Sequence, residues 1–166
     1  MILPLIKYPN EILRKKSEEV YDLEKEWSKL TGSMIIKVMN DNHGVGLAAP
    51  QIGILKRIIA VNLTGISHGF YIRDMDSSKV VENGPPFFCA TNPVIIATGD
   101  GVYLSEEGCL SLPGEIVEVP RFRSIVMECV IVPSGMSIQY TLHDLAAAVV
   151  QHEIDHLDGK LIIDYK

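Results

Sequence analysis

Asp144-Leu145-Ala146-Ala147-Ala148-Val149-Val150-Gln151-His152-Glu153-Ile154-Asp155-His156-Leu157 is the stretch whose reading decides the fold. Leu145, Val149, Val150, Ile154 and Leu157 recur at helical spacing and predict a helix over Asp144 to Leu157, stopped by Gly159. Inside it, His152 and His156 stand four residues apart, one turn apart on one face. Both imidazoles can therefore reach one metal ion while Glu153 projects beside it. The plain alternative is two incidental histidines on a partly exposed helix. The apolar stripe argues against it, because it makes the helix real and removes the commonest source of chance matches, a loop.

Two histidines do not complete a metal site, which takes a third protein ligand and keeps a position open for water. Downstream, only Lys160 to Lys166 remains, with Asp164 as its sole carboxylate. Upstream, Glu106-Glu107-Gly108-Cys109-Leu110-Ser111-Leu112-Pro113 sets a cysteine between an acidic pair and a proline turn. A lone cysteine is ordinarily a small buried hydrophobe. On the residues alone, the third ligand stays open.

Before this region the pattern is β-rich. Arg57 to Leu63, Phe87 to Thr98, Ile116 to Val119 and Ser124 to Val132 read as strands separated by Gly, Pro, Asn and Asp, and suggest a mainly antiparallel sheet. Residues 65–86 are polar and turn-rich and read as an exposed excursion between two strands. Nearer the N-terminus, Asn10 caps a short predicted helix over Glu11 to Lys16. A longer helix follows a cap at Asp22, with Leu23, Trp27, Leu30, Met34, Ile35 and Val38 as its core stripe. Gly44, Gly46 and Ala49 match the spacing of a dinucleotide-binding fingerprint. That fingerprint has to follow a strand and open a helix, whereas here a helix precedes it and Pro50 follows.

At 166 residues, one domain over 1–166 is the expectation. A formal net charge of −6 argues against binding the nucleic-acid backbone. No apolar run approaches the length of a membrane span, and the first residues carry no basic leader, so a cytoplasmic protein without membrane contact is expected. Cys89, Cys109 and Cys129 are odd in number and widely spaced, which speaks against a disulfide framework. At least two of them are expected to be core residues. His43, His68 and His143 match no ligand pattern.

Glu107-Gly108-Cys109-Leu110-Ser111, followed by His152-Glu153-Ile154-Asp155-His156, resembles the second and third signatures of the peptide deformylases, and Gly44-Val45-Gly46-Leu47-Ala48-Ala49-Pro50-Gln51 resembles the first. The three stand in the family's order, and Leu3 to Arg14 also looks like its opening segment. The resemblance covers nearly the whole chain. It implies an α+β fold with antiparallel sheets around a C-terminal helix bearing the metal motif. It implies a hydrolase that removes the formyl group from the N-terminal formylmethionine of nascent polypeptides, acting on N-formylmethionyl peptides.

Residue by residue, it implies Cys109, His152 and His156 as metal ligands and Glu153 as the proton carrier. Gln51 and the Leu110 backbone N–H would donate to the oxyanion, and Gly46 would offer backbone hydrogen bonds to substrate. One divalent ion is implied, Fe2+ physiologically, with Zn2+, Ni2+ or Co2+ able to take its place. The 65–86 excursion is longer than in many members. The chain also ends soon after Tyr165, where many bacterial members carry an extension associated with ribosome contact, which puts ribosome docking in doubt. Two alternatives share the helix motif: a zincin-type metallopeptidase, which gives no reason for Gln51 or the cysteine segment, and a non-catalytic deformylase-like metal-binding protein, which would be expected to lack Glu153 or Gln51.

Overall fold

The structure, a computed structural model, describes residues 3–21, 25–66, 70–82 and 85–166. Its strands are β1 (Gly46–Ala48), β2 (Ile58–Asn62), β3 (Phe70–Asp74), β4 (Val80–Glu82), β5 (Phe87–Cys109), β6 (Leu112–Val132) and β7 (Ser137–His143), with helices α1 (Lys25–Asp41) and α2 (Asp144–Leu157). They form one sheet in the order β1-β2-β5-β6-β7-β3-β4. Each pairing is antiparallel. An isolated parallel bridge joins Glu18 to Lys56. No helix among the described residues is long and apolar enough to cross a membrane.

β2 explains where the core sits. Its Ile58, Ile59, Ala60 and Val61 are all buried, the continuous apolar run of a strand covered on both faces. Ile59 and Val61 meet the α2 face of Ala146, Ala147, Val150, Ile154 and Leu157. Ile58 and Ala60 meet Ile35, Val38 and Met39 of α1. Each large apolar side chain buried this way contributes about 1.5–3 kcal/mol.

α2 occupies the predicted span, and Gly159, with φ of 73°, ends it. A side chain at Gly159 would meet the Arg14 backbone, with its carbonyl carbon at 2.7 Å. One member of the expected stripe departs: Leu145 is 54% exposed. It lies on the first turn, where Ala146 and Ala147 take the inward positions. The N-terminal helix shortens to a 3₁₀ turn, Glu11–Arg14, with the Asn10 side chain accepting from the Ile12 N–H.

Three further expectations are corrected. In α1, Trp27 and Leu30 are exposed, and burial runs through Ser28, Thr31, Ile35, Val38 and Met39. Thr31 and the adjacent Gly32 let the helix approach β5, where a side chain at Gly32 would meet Cys89 Sγ at 2.9 Å. The cap at Asp22 and the stripe residue Leu23 lie outside the described residues, as does His68. Next, the 65–86 excursion is no mere surface loop, since β3 pairs with β7 and β4 with β3, extending the sheet. Its polar residues make the hairpin turn, where Asp74 accepts from the Asp76 N–H and the Ser77 hydroxyl. Finally, the predicted strand Phe87 to Thr98 runs on to Cys109 as β5, of 23 residues, and the predicted strands Ile116 to Val119 and Ser124 to Val132 merge into β6, of 21. The breaker at Gly99-Asp100-Gly101 sits in a β-bulge, which absorbs an extra residue without ending a strand.

Candidate metal centre

The β5–β6 hairpin carries Cys109 to its tip, where Cys109 pairs with Leu112 across a two-residue turn of Leu110 and Ser111. That tip meets α2. Ligand atoms of Cys109, His152 and His156 lie within 4.8 Å of one another, the one such group of three among the described residues. Cys109 Sγ is 3.3 Å from His156 Nε2. A thiolate and an imidazole on one tetrahedral ion stand roughly 3.5 Å apart, given metal–sulfur and metal–nitrogen bonds of about 2.3 and 2.0–2.1 Å. The donor set fits a divalent first-row ion. Asp164 is engaged elsewhere, accepting from Arg14 at 2.6 Å and from the Leu161 N–H at 2.9 Å. Cys89 and Cys129 are buried, and burial pushes both thiols up to about 12, as suits core residues.

His152 is held from behind. Its Nδ1 lies 2.9 Å from Glu107 Oε2, leaving Nε2 to face the cluster. Glu107 in turn accepts two hydrogen bonds from Arg121, at 2.8 and 2.9 Å. Arg121 also donates to Asp155 at 2.6 Å, and Asp155 accepts from the Tyr165 hydroxyl at 3.0 Å. Burial alone would raise the Glu107 carboxyl, but the bonds from Arg121 and His152 hold it at about 2. Burial pulls His152 down, yet its hydrogen bonds to Cys109 and Glu107 outweigh that and carry it to about 10. His156, buried and beside His152, is driven well below the ordinary range. Gln151 adds the helix's own anchor, since it accepts from the Phe122 N–H at 3.0 Å and donates to the Phe122 carbonyl at 2.9 Å.

Glu153 stands apart from this network. It is 4% exposed, its Oε2 has no partner among the described residues, and burial raises its carboxyl to about 7. Gly46 makes room for it, because a side chain there would overlap the Glu153 carboxylate, with the carboxyl carbon at 2.8 Å. Gln51 comes from a 3₁₀ turn, Ala49–Ile52. The Ala48 N–H donates to its Oε1 at 2.9 Å, which turns Nε2 toward Ser111 Oγ, at 3.0 Å, and Cys109 Sγ, at 3.8 Å. This turn is too short to be the helix of a dinucleotide site. Gly46, Gln51, Cys109, Leu110, His152 and Glu153 all line one cavity of about 430 Å³.

Sequence reading did not identify Arg121, Asp155, Tyr165 and Gln151, nor the task of Glu107. Glu107 and Asp155 lie inside the motifs already quoted, but nothing local marks Arg121 as their shared partner. His43 lines the cavity mouth, and His143 lies 3.7 Å from Asp100.

Residues 2–166 match the family model described as polypeptide deformylase. A peptide deformylase of Thermodesulfovibrio yellowstonii is 39% identical over 163 residues, covering 98% of this chain and 88% of that protein. A probable peptide deformylase from Synechococcus phage S-SSM7 superposes with a TM-score of 0.78 at 36% identity, covering 99% of each chain. A class I type b peptide deformylase from Acinetobacter baumannii, solved with Met-Ala-Ser bound, gives a TM-score of 0.81 at 28% identity over 100% of this chain and 99% of that one.

Proposed function

The chain belongs to the polypeptide deformylase family, and from that premise we propose how its residues carry out the reaction. It is a metallohydrolase that removes the formyl group from the N-terminal formylmethionine of nascent polypeptides. Cys109, His152 and His156 are the ligands of its single catalytic metal. When bound, the ion supplies Lewis-acid polarisation of the formyl oxygen and lowers the pKa of water beside it. The observation that carries this reading is a free, buried Glu153 oxygen next to a cluster of one thiol and two imidazoles.

Glu153 takes the proton of the attacking water and delivers it to the departing amine, a task suited to a carboxyl raised to about 7. Gln51 Nε2, already turned inward by the Ala48 N–H, donates to the oxygen that gains charge, together with the Leu110 backbone N–H. Loss of one such donor typically costs about 2.7–4 kcal/mol of transition-state stabilisation. Gly46 lies on β1, the free edge of the sheet, and offers backbone groups to an extended substrate. The Met-Ala-Ser bound by the Acinetobacter relative supports reading this cavity as a peptide site.

Ferrous iron is the ion we assign, with zinc, nickel or cobalt as substitutes. We place the enzyme in the cytoplasm, where nascent chains emerge, and a net charge of −6 argues against direct contact with nucleic acid. Anaerobic purification followed by metal analysis and a formyl-Met-Ala-Ser assay tests all of this together. One equivalent of iron with release of formate and intact Met-Ala-Ser is expected. Cleavage between Met and Ala with the formyl group retained would instead identify a zincin-type peptidase.

A further inference from the structure

The cavity continues past the reacting groups along the first turns of α2, where Val45, Leu145, Ala148 and Val149 wall it. One wall residue does not match these apolar neighbours. Ser105 precedes Glu107 by two residues on β5, so its side chain leaves the strand on the same face, toward α2. It is 6% exposed and lines the cavity, and its hydroxyl bonds to no other described residue. Its oxygen is not among the enclosed unpartnered atoms, so the hydroxyl opens onto the cavity with its hydrogen bond uncommitted to other described residues and available to a ligand.

Val149 lies three residues, about 4.5 Å of helix, before His152, and Ser105 lies about 7 Å along the strand before Glu107, so both line the cavity beyond the reacting groups, on the length scale of an unbranched side chain.

We propose that Ser105 determines specificity in the pocket for the first side chain by donating a hydrogen bond to an acceptor there, so that the enzyme accepts N-formylmethionine sulfoxide as well as N-formylmethionine. The inference rests on the deformylase reading above. Thioether sulfur is a weak acceptor, whereas sulfoxide oxygen is a strong one. A wholly apolar pocket would reject the sulfoxide, because its oxygen would lose water and gain nothing. Norleucine, with a methylene in place of sulfur, offers Ser105 no acceptor at all.

The test measures kcat/KM for formate release from formyl-Met-Ala-Ser, its sulfoxide and its norleucine analogue, using wild type, Ser105→Ala and Ser105→Thr. Competition by Met-Ala-Ser and its sulfoxide adds a binding readout independent of turnover. The wild type is expected to cleave the sulfoxide peptide within about tenfold of the methionine peptide, and Ser105→Ala to lower the sulfoxide-to-norleucine ratio at least about tenfold. Ser105→Thr, which keeps the hydroxyl, should restore that ratio. The melting temperature of Ser105→Ala should hold or rise, since no protein hydrogen bond is lost. A ratio equal in wild type and Ser105→Ala, or cleavage of formylmethionine with rejection of the sulfoxide in every variant, overturns this inference alone. No formate from any peptide would overturn the deformylase reading, and the inference with it.

Discussion

On one side of the Cys109–His152–His156 cluster, the side chains form a connected chain of partners: Tyr165 bonds Asp155, Asp155 and Glu107 share Arg121, and Glu107 holds His152 Nδ1. On the other side, Glu153 Oε2 and His156 Nδ1 are buried without a partner among the described residues. Glu107 and Glu153 are both largely withdrawn from solvent, at 9% and 4% exposed, so burial by itself does not explain their difference. Pairing does. A paired carboxylate such as Glu107, held at about 2, stays ionised and fixes geometry. An unpaired one such as Glu153, raised to about 7, can exchange a proton near neutral pH. Within one cavity, positioning and chemistry are thus assigned to acids of the same type by the company each keeps.

The largest expected effects come from removing the proposed ligands. Cys109→Ala, His152→Ala and His156→Ala should each lose tight metal binding, read by elemental analysis after dialysis. Stoichiometric metal in Cys109→Ala would remove the cysteine from the ligand set. Glu153→Gln, on the unpaired side, should keep its metal while kcat falls about 10²–10⁴-fold. Turnover near wild type would mean that another group moves the proton.

On the paired side the loss should appear in affinity first. Glu107→Gln is expected to weaken zinc binding about 10–100-fold in a competition titration, because His152 loses its orienting carboxylate. An unchanged affinity would show that Arg121 and helix packing suffice to aim the imidazole.

The contrast also predicts opposite behaviour with pH. A carboxyl raised from its ordinary 4.5 to about 7 destabilises the fold as pH climbs between those values, because the unfolded chain ionises first. Metal-free Glu153→Gln should therefore melt higher than metal-free wild type at pH 8, and the difference should vanish near pH 4. A constant difference across that range would assign the effect to packing. The smallest change expected is Tyr165→Phe, at the outer end of the network, which should cost about 1 kcal/mol in denaturant unfolding. A much larger loss would mean that Asp155 depends on Tyr165 more than on Arg121.

Legibility in the sequence followed the range of each interaction. The strand Ser137–His143 alternates cleanly, with Ile138, Tyr140 and Leu142 buried, and was readable in principle. The helix that begins at its next residue masks that alternation. The β3–β4 hairpin was obscured by Asp74, Asp76, Ser77 and Ser78, whose polarity marks a turn but does not say that the flanking residues join a sheet. For α1 the apolar residues were the wrong guide: Ser28, Thr31 and Gly32 lie inward because close approach to β5 needs small side chains, which leaves Trp27 and Leu30 outside.

What the sequence determined by itself is the local geometry of the chemistry. A helix over Asp144–Leu157 sets His152 and His156 one turn apart with Glu153 beside them, and Gly159 ends it, because backbone periodicity alone decides those relations. Only the tertiary structure decided what that helix meets. Cys109 arrives from 47 residues before His156 on the tip of a bulged hairpin, and Arg121 joins Glu107 to Asp155 across strand and helix. Periodicity states which residues share a face. The partners of a buried charge, and the absence of one at Glu153 Oε2 among the described residues, depend on chain segments far apart in sequence and are settled only when they pack.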